Sequence, residues 1–228
     1  MKKTLLFVVV CVIGIPFMSL AQETTYSDTN DDDKVLNWYF AAGVAVTNDY
    51  KINENLAAAG MPELNNVMPE ITFGYMVKGT KLLMDFEINT AFMDERTSTD
   101  RIQSVAFGFK LRGHYIPYST ENFFLSGGVD LSYLNNRFNL YSRGNVIDLN
   151  DLNPSTHTGH ISLYNEQFYV GPSIAFGAFQ KSSFPIRLNV GYEFSAINGK
   201  WRSDFANVAN DFREDVQGRF YAKLALLF

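Results

Sequence analysis

Apolar and polar side chains alternate with a period of two in eight segments of the chain. In the segment that begins at residue 82, Leu82, Met84 and Phe86 share one face, while Asp85 and Glu87 share the other. Strict alternation of this kind is the pattern of a β-strand with one apolar face. Each segment has about 10 residues, which is also the length that a tilted strand needs to cross a bilayer. The pattern therefore predicts eight antiparallel strands.

The connections between these segments alternate in length. The short ones are the tight turn Gly79-Thr80 and residues 117–122 and 180–185, and the longer, polar ones are residues 48–66, 94–100, 142–161 and 198–217. Long loops on one side and short turns on the other, with both chain ends on the short-turn side, are typical of outer-membrane barrels. We therefore predict an all-β fold, an eight-stranded antiparallel up-and-down transmembrane β-barrel.

The composition of the two faces predicts which one meets lipid. The apolar face carries no charge, whereas the other face is rich in Gly, Ala and Ser with single charges between them. Small residues suit the narrow interior of an eight-stranded barrel, and rings such as Phe86, Phe107 and Phe176 would crowd it. Aromatic residues also gather near the strand ends, where the two bilayer interfaces favour them. We expect the apolar face to meet lipid; a lipocalin-like soluble barrel is the alternative.

Charges of both signs lie on the predicted inner face, and Glu70 and Lys78 are among them. We expect them to pair across the lumen, because unpaired charges in a poorly hydrated space are costly. The predicted polar network of the lumen consists of Asp85, Glu87, Lys110, Arg112, Asp130, Arg187, Glu193, Arg219 and Lys223. Such a network predicts a plugged interior, and a narrow channel for small solutes is an alternative.

The N-terminal residues have the pattern of an export signal. Residues 1–21 combine two lysines, an apolar run and the small-residue end Ser19-Leu20-Ala21, which predicts a cleaved signal peptide. We expect residues 22–35 to form an acidic periplasmic tail and residues 36–228 to form the barrel. The only cysteine, Cys11, lies in the signal, so the mature chain is expected to contain no disulfide.

Composition and charge exclude several classes of protein. Hydrophobic residues make up 46% of the 228 residues, aromatic residues 15% and charged residues 19%, which is not the composition of a disordered chain. A mean hydropathy of −0.08 argues against a protein with several transmembrane helices. The net charge of −5 and the absence of a basic block argue against a nucleic-acid partner.

The last segment carries a resemblance to a known family. It ends on the aromatic residue Phe228, preceded by apolar residues at 226, 224, 222 and 220. This ending resembles the insertion signal of bacterial outer-membrane barrels. With the signal peptide and the eight segments, the chain resembles the small eight-stranded outer-membrane β-barrel proteins, the outer membrane protein β-barrel domain family. The resemblance implies a location in the bacterial outer membrane and the barrel-assembly machinery as a partner. It implies no cofactor and no shared catalytic residues.

One motif raises an enzymatic alternative. Some eight-stranded barrels are lipid A deacylases with a His and a Ser two residues apart on the outer rim, and His160 and Ser162 have this spacing, with Glu166 as a candidate orienting acid. Larger side chains follow the pair than in the deacylases, so we predict a protein that is not an enzyme. His157 and His160 could bind a metal, but the loop offers no helix to hold them, and we predict no metal site.

The long loops are the better place for a function, because binding residues often lie on loops that a rigid scaffold carries. The candidate contact residues in the last loop are Trp201, Arg202, Phe205 and Phe212. Rings mixed with arginine are common in contact surfaces, although these rings could equally fold back onto the barrel mouth. The predicted role is structural or interactive, with outer-membrane lipid, lipopolysaccharide, an extracellular protein or another surface ligand as partner.

Overall fold

A computed structural model of the protein describes residues 35–142, 160–197, 199–209 and 212–228. The predicted signal peptide, nearly all of the predicted tail and His157 lie outside these residues. The described chain begins directly in the first strand at Val35, one residue before the predicted start of the barrel.

Eight long strands form a closed antiparallel barrel, which confirms the predicted fold class. They are β1 (Val35–Thr47), β2 (Val67–Lys78), β3 (Leu82–Arg96), β4 (Asp100–Ser119), β5 (Phe123–Ser142), β6 (His160–Ala178), β7 (Ile186–Ile197) and β10 (Gly218–Leu227). Each strand pairs with its neighbour along the chain, and β1 pairs with β10 to close the ring. At this seam the backbones of Trp38 and Phe228 exchange two hydrogen bonds of 3.1 and 2.9 Å, so the last residue of the chain takes part in closure.

The connections follow the predicted alternation, with one exception. The stretch 94–100 was predicted to be a longer loop, but β3 and β4 continue through it and only residues 97–99 connect them. The backbone NH of Thr97 donates to the carbonyl of Asp100 at 2.8 Å and closes this turn. Asp94 forms one ion pair with Arg96 within β3 and another with Arg101 on β4, and the second pair joins the ends of the two strands. The polar residues of this stretch therefore do not end the pairing between β3 and β4.

Two of the long loops contain short elements that the alternation did not predict. The loop after β1 contains the helix α1 (Ile52–Ala58), and the loop after β7 contains a small ladder between β8 (Gly199–Lys200) and β9 (Arg213–Glu214). No helix in the described residues is long and apolar enough to cross a membrane.

The polarity of the barrel is the reverse of that of a water-soluble protein. Outward-facing apolar side chains are widely exposed, for example Leu82 at 64% and Val129 at 50%. Inward-facing positions are buried, and many of them are polar or charged, as the alternation predicted. Some large inward rings fit because a glycine lies opposite: a Cβ atom on Gly74 would approach the ring of Tyr39 to 2.2 Å. Close packing of this kind fills the narrow interior.

Candidate functional site

Ten charged side chains meet in the middle of the lumen. They project from the inward positions of β2, β3, β4, β5, β7 and β10, because alternate residues of a strand face the same side. The structure places all nine predicted lumen residues there, together with Glu70, a further inner-face charge that was expected to pair across the lumen. The ten are Glu70, Asp85, Glu87, Lys110, Arg112, Asp130, Arg187, Glu193, Arg219 and Lys223, all at most 3% exposed.

Arg112 has the most ion-pair partners in this network. Its Nη1 lies 2.7 Å from Asp85 and 2.7 Å from Glu87, and its Nε lies 3.1 Å from Asp130. Its Nη2 also donates to the hydroxyl of Tyr221 at 3.1 Å. One guanidinium therefore ties together β3, β4, β5 and β10.

The other ion pairs complete a closed cycle. Starting from Arg112, it runs through Glu87, Lys223, Glu70, Arg219, Glu193, Lys110 and Asp130 and returns to Arg112. The signs alternate at every step. Asp85 and Arg187, 3.0 Å apart, form a branch on Arg112. With five cations and five carboxylates the network is electrically neutral, which removes much of the cost of burying charge.

Polar residues join the network to the rest of the wall. Tyr39 donates to Glu87 at 2.9 Å, Ser132 donates to Glu193 at 2.6 Å, and the ammonium of Lys110 lies 3.4 Å from the ring centre of Tyr221. Tyr39 lies on β1, and Ser173, which donates to Asp130 at 2.5 Å, lies on β6, so all eight strands of the barrel contribute to the network. A network that spans the lumen from several sides leaves little room for an aqueous path.

An apolar cap closes the lumen on the loop side. Trp201 lies at its centre, 2% exposed, with its ring 5.0 Å from that of Phe138. Tyr50, Leu56 and Leu64 from the loop after β1 belong to the same buried cluster. Of the two alternatives for the rings of the last loop, Trp201 takes the second: it folds back onto the barrel mouth and is not a surface contact.

Glu214 on β9 holds this cap in place. Its two carboxylate oxygens accept hydrogen bonds from the backbone NH groups of Lys51 and Ile52, at 2.8 and 3.2 Å, from the indole NH of Trp201 at 3.0 Å and from the Gln217 amide at 3.2 Å. The side chain is fully buried. It therefore links the start of α1 to the last loop, and only contacts distant in sequence reveal this role.

A second apolar cluster lies in the lumen on the short-turn side. It contains Met76, Leu83, Ile116 and Phe124, together with inward residues of β1 and β10. Lys78 lies in the same region, with its ammonium 5.2 Å from the ring centre of Phe124. The lumen thus has three layers, with the charged network between two apolar clusters.

On the loop side, β3 to β6 extend beyond the other strands. Pairing between β2 and β3 ends at Ala91, and pairing between β6 and β7 ends at Phe168, whereas β3, β4, β5 and β6 continue to pair with one another. We call this extension, residues 93–104, 134–142 and 160–167, the flange. Its outward face carries charged and polar side chains, whereas the outward face lower in the barrel is mainly apolar.

The remaining loop candidates lie near the flange. Arg202 is partly exposed, and its guanidinium lies 3.6 Å from Glu166. Phe205 is 86% exposed, whereas Phe212 is half-buried and packs against the apolar cap. Arg202 and Phe205 are therefore available for contacts, and Phe212 is largely used within the protein.

The three residues of the enzymatic alternative lie on β6, and His160 and Glu166 have partners outside this group. The imidazole of His160 stacks on Tyr141, with ring centres 4.8 Å apart, and lies 3.4 Å from the Asn139 amide oxygen. Glu166 accepts a hydrogen bond of 3.0 Å from the hydroxyl of Tyr133. Glu166 is thus turned towards Tyr133 and Arg202, which does not favour its role as an orienting acid. Among the described residues no cluster of three or more metal-binding side chains was found.

Charge is distributed unequally between the two sides of the flange. The outward side carries Arg96, Arg101 and Arg137, with Arg202 beside them, and their side chains are 35–56% exposed. On the other side, the charged residues that line an open cleft of about 780 Å³ beside α1 are four acids, Asp49, Glu54, Glu63 and Glu95, and one lysine, Lys51, which pairs with Asp215. Hydrogen bonds from Arg101 and Arg96 hold the pKa of Asp94 below its usual range, so the carboxylate between these arginines stays ionised.

Comparisons with known proteins support the fold. No family model matches the chain. No curated protein matches it either. Among solved structures, it is similar to Ail, the attachment invasion locus protein of Yersinia pestis, with a TM-score of 0.51 and 11% identity over 86% of this chain and 99% of that one. Ail in complex with the heparin analogue sucrose octasulfate gives a TM-score of 0.50 at 10% identity, with the same coverage. The chain thus has the fold of small eight-stranded outer-membrane barrels.

Proposed function

We propose that this protein is a bacterial outer-membrane barrel with a sealed lumen, which acts by binding through its loop side and not by transport or catalysis. The observation that carries the proposal is the reversed polarity of the barrel. Apolar side chains cover the outside, and a neutral charged network fills the inside between two apolar clusters. A lipid environment stabilises such an exterior, whereas water would not.

Sealing of the lumen is supported by the connectivity of the charged network. Every carboxylate in the cycle contacts two or more cations, so a passing ion would have to displace several buried pairs at once. The apolar cap at Trp201 adds a second barrier on the loop side. We expect planar bilayers containing the folded protein to show no steady conductance. A stable open level, reproducible between insertions, would refute the sealed lumen.

Export and assembly belong to the same proposal. We infer that residues 1–21 are removed and that the mature protein begins at Gln22, which N-terminal sequencing of the protein from outer-membrane fractions would test. The last strand presents Phe220, Leu224, Leu226 and Phe228 on the outside. We infer that the barrel-assembly machinery reads this strand. Deletion of Phe228 should lower the amount of folded protein in the outer membrane, while an equal amount in that membrane would contradict the inference.

A binding role places the function in the loops and the flange. The related fold of Ail, described by its name as an attachment and invasion protein, is consistent with such a role. Limited proteolysis of the folded protein in membranes should remove the loops and leave the barrel intact. We expect trimmed protein to lose its partner, identified by crosslinking to the untrimmed protein. Equal capture by the trimmed barrel would place the binding site elsewhere.

A further inference from the structure

The arginines on the outward side of the flange lie next to the apolar band of the barrel. Arg137 pairs across strands with Val105, which is 50% exposed and belongs to that band. Arg101 is four residues further along β4, about 13 Å along the strand and about 10 Å in height at a strand tilt of about 40°. Long arginine side chains can bend back towards the interface. These guanidinium groups are therefore within reach of the headgroup layer.

One carboxylate serves two of these arginines. Asp94 accepts hydrogen bonds from Arg96 through Nε and Nη2, and from Arg101 through Nε at 2.7 Å and Nη2 at 2.8 Å. One negative charge cannot neutralise two guanidinium groups, and these bonds leave Nη1 of each arginine unused. The group of three residues thus has a net positive charge and spare donors, a combination that suits phosphate.

The pairing of the other two arginines is different. Arg137 lies 3.0 Å from Asp204, and Arg202 lies 3.6 Å from Glu166, so each has its own carboxylate. Among the residues that the structure describes, the outward side therefore carries four arginines against three carboxylates. The acidic groups around α1 line the cleft on the other side of the flange. Of the two described sides of the flange, the outward one is thus the side that favours an anionic partner.

We propose that the outward side of the flange binds the phosphate groups of an anionic glycolipid in the surrounding leaflet, with Arg96 and Arg101 as the principal contacts. The inference rests on the proposed membrane location and gives the binding role a ligand class. Phosphates of the leaflet are fixed at the level of the flange, whereas a soluble anion would also meet the acidic groups around α1. A soluble sulfated saccharide is the competing source of the same chemistry.

The test measures retention of lipid A by the full-length mature protein in phosphatidylcholine nanodiscs. Three lipid additions are compared, namely bisphosphorylated lipid A, the same lipid after dephosphorylation, and none, and bound lipid A is counted by native mass spectrometry. The variants are Arg101→Gln and the double variant with Arg96→Gln. The matched control is Lys181→Gln, which removes an exposed, ion-paired cation in the turn between β6 and β7 on the short-turn side.

We expect the wild type and the Lys181→Gln control to retain bisphosphorylated lipid A. The double variant should bind it about 30-fold more weakly, since each of the two arginines near an anionic surface contributes about a fivefold factor. The dephosphorylated lipid should not be retained. Equal retention by the double variant, an equal loss in the control or retention of dephosphorylated lipid would overturn the proposal.

A separate arm distinguishes the two sources of anion. Sucrose octasulfate is titrated onto the protein in nanodiscs without lipid A. Weak binding of sucrose octasulfate, or binding that does not depend on Arg96 and Arg101, supports the lipid as the ligand. Tight binding that the double variant abolishes, in a protein that does not retain lipid A, refutes the lipid proposal in favour of a soluble saccharide. Conductance is recorded on the same protein variants in planar bilayers, so a leaking barrel, which would refute the sealed lumen, is separated from a failure of lipid binding.

Discussion

Replacing Arg112 by methionine tests whether the charged network stabilises the barrel. Methionine keeps most of the length of the side chain, so the change removes charge and hydrogen bonds more than volume. It breaks contacts of 2.7 Å to Asp85, 2.7 Å to Glu87 and 3.1 Å to Asp130. All three carboxylates are buried, and water cannot easily replace the lost partner.

The expected loss of stability follows from the cations that each carboxylate still contacts after the substitution. Removing one partner of a buried pair costs about 3–5 kcal/mol. Here every carboxylate keeps another cation, at 3.0, 2.6 and 3.2 Å, and these cations are Arg187, Lys223 and Lys110 respectively. No carboxylate is left alone, so we expect a loss near the lower end, about 3 kcal/mol in the free energy of unfolding.

A second substitution separates charge balance from other effects. The double variant Arg112→Met with Glu87→Gln leaves four cations and four carboxylates in the lumen, and the network is again neutral. We expect the free energy of unfolding of the double variant to fall by about 1–2 kcal/mol less than the sum of the two single losses, because the two residues are in direct contact.

Unfolding in urea is measured on protein folded into lipid vesicles and followed by tryptophan fluorescence, with Arg101→Gln as an exposed control that should lose less than about 1 kcal/mol. An Arg112→Met variant as stable as the wild type would refute the structural role of the network. Strict additivity in the double variant would show that Arg112 and Glu87 act independently, contrary to their 2.7 Å contact.

Three further predictions concern the cap, the packing of the wall and the enzymatic alternative. Glu214→Gln should cost about 2 kcal/mol by weakening four hydrogen bonds, and acrylamide should then quench Trp201 more strongly; unchanged quenching would contradict the role of Glu214. Gly128→Ala should lower the urea midpoint, because its Cβ would lie 1.9 Å from the carbonyl oxygen of Gly113, while Gly113→Ala, with open space around it, should not; equal midpoints would show that the wall adjusts freely. His160→Ala should leave the mass spectrum of extracted lipid A unchanged, and loss of a deacylated species would instead support catalysis.

The strand pattern and the inward positions could be predicted because a period of two assigns a face to every residue of a strand. Once the apolar face was assigned to lipid, the nine charged residues of the other face were expected inside, and the structure places them there. Their specific partners could not be predicted. The contact between Lys223 and Glu87, for example, joins strands that are not neighbours and depends on the stagger of the closed barrel.

The cap could not be derived from the pattern, because loops have no period. The helix α1 has seven residues with one buried side chain, Leu56, and alternation gives no signal for it. The role of Glu214 depends on Lys51 and Ile52, more than 160 residues away in the sequence. Composition predicted an interactive last loop, but its tryptophan is used to close the barrel.

The distribution of contacts limits where a partner can bind. In the described part of the chain, the charged side chains of the lumen form ion pairs with one another, and apolar clusters cover both ends of the lumen. The described lower wall presents mainly apolar side chains outward. Exposed polar groups with unused donors remain mainly on the flange and the loops beside it, where Asp94 is shared between Arg96 and Arg101. A binding function of this barrel is therefore expected at the boundary between membrane and solvent, and the substitution of these two arginines is its most direct test.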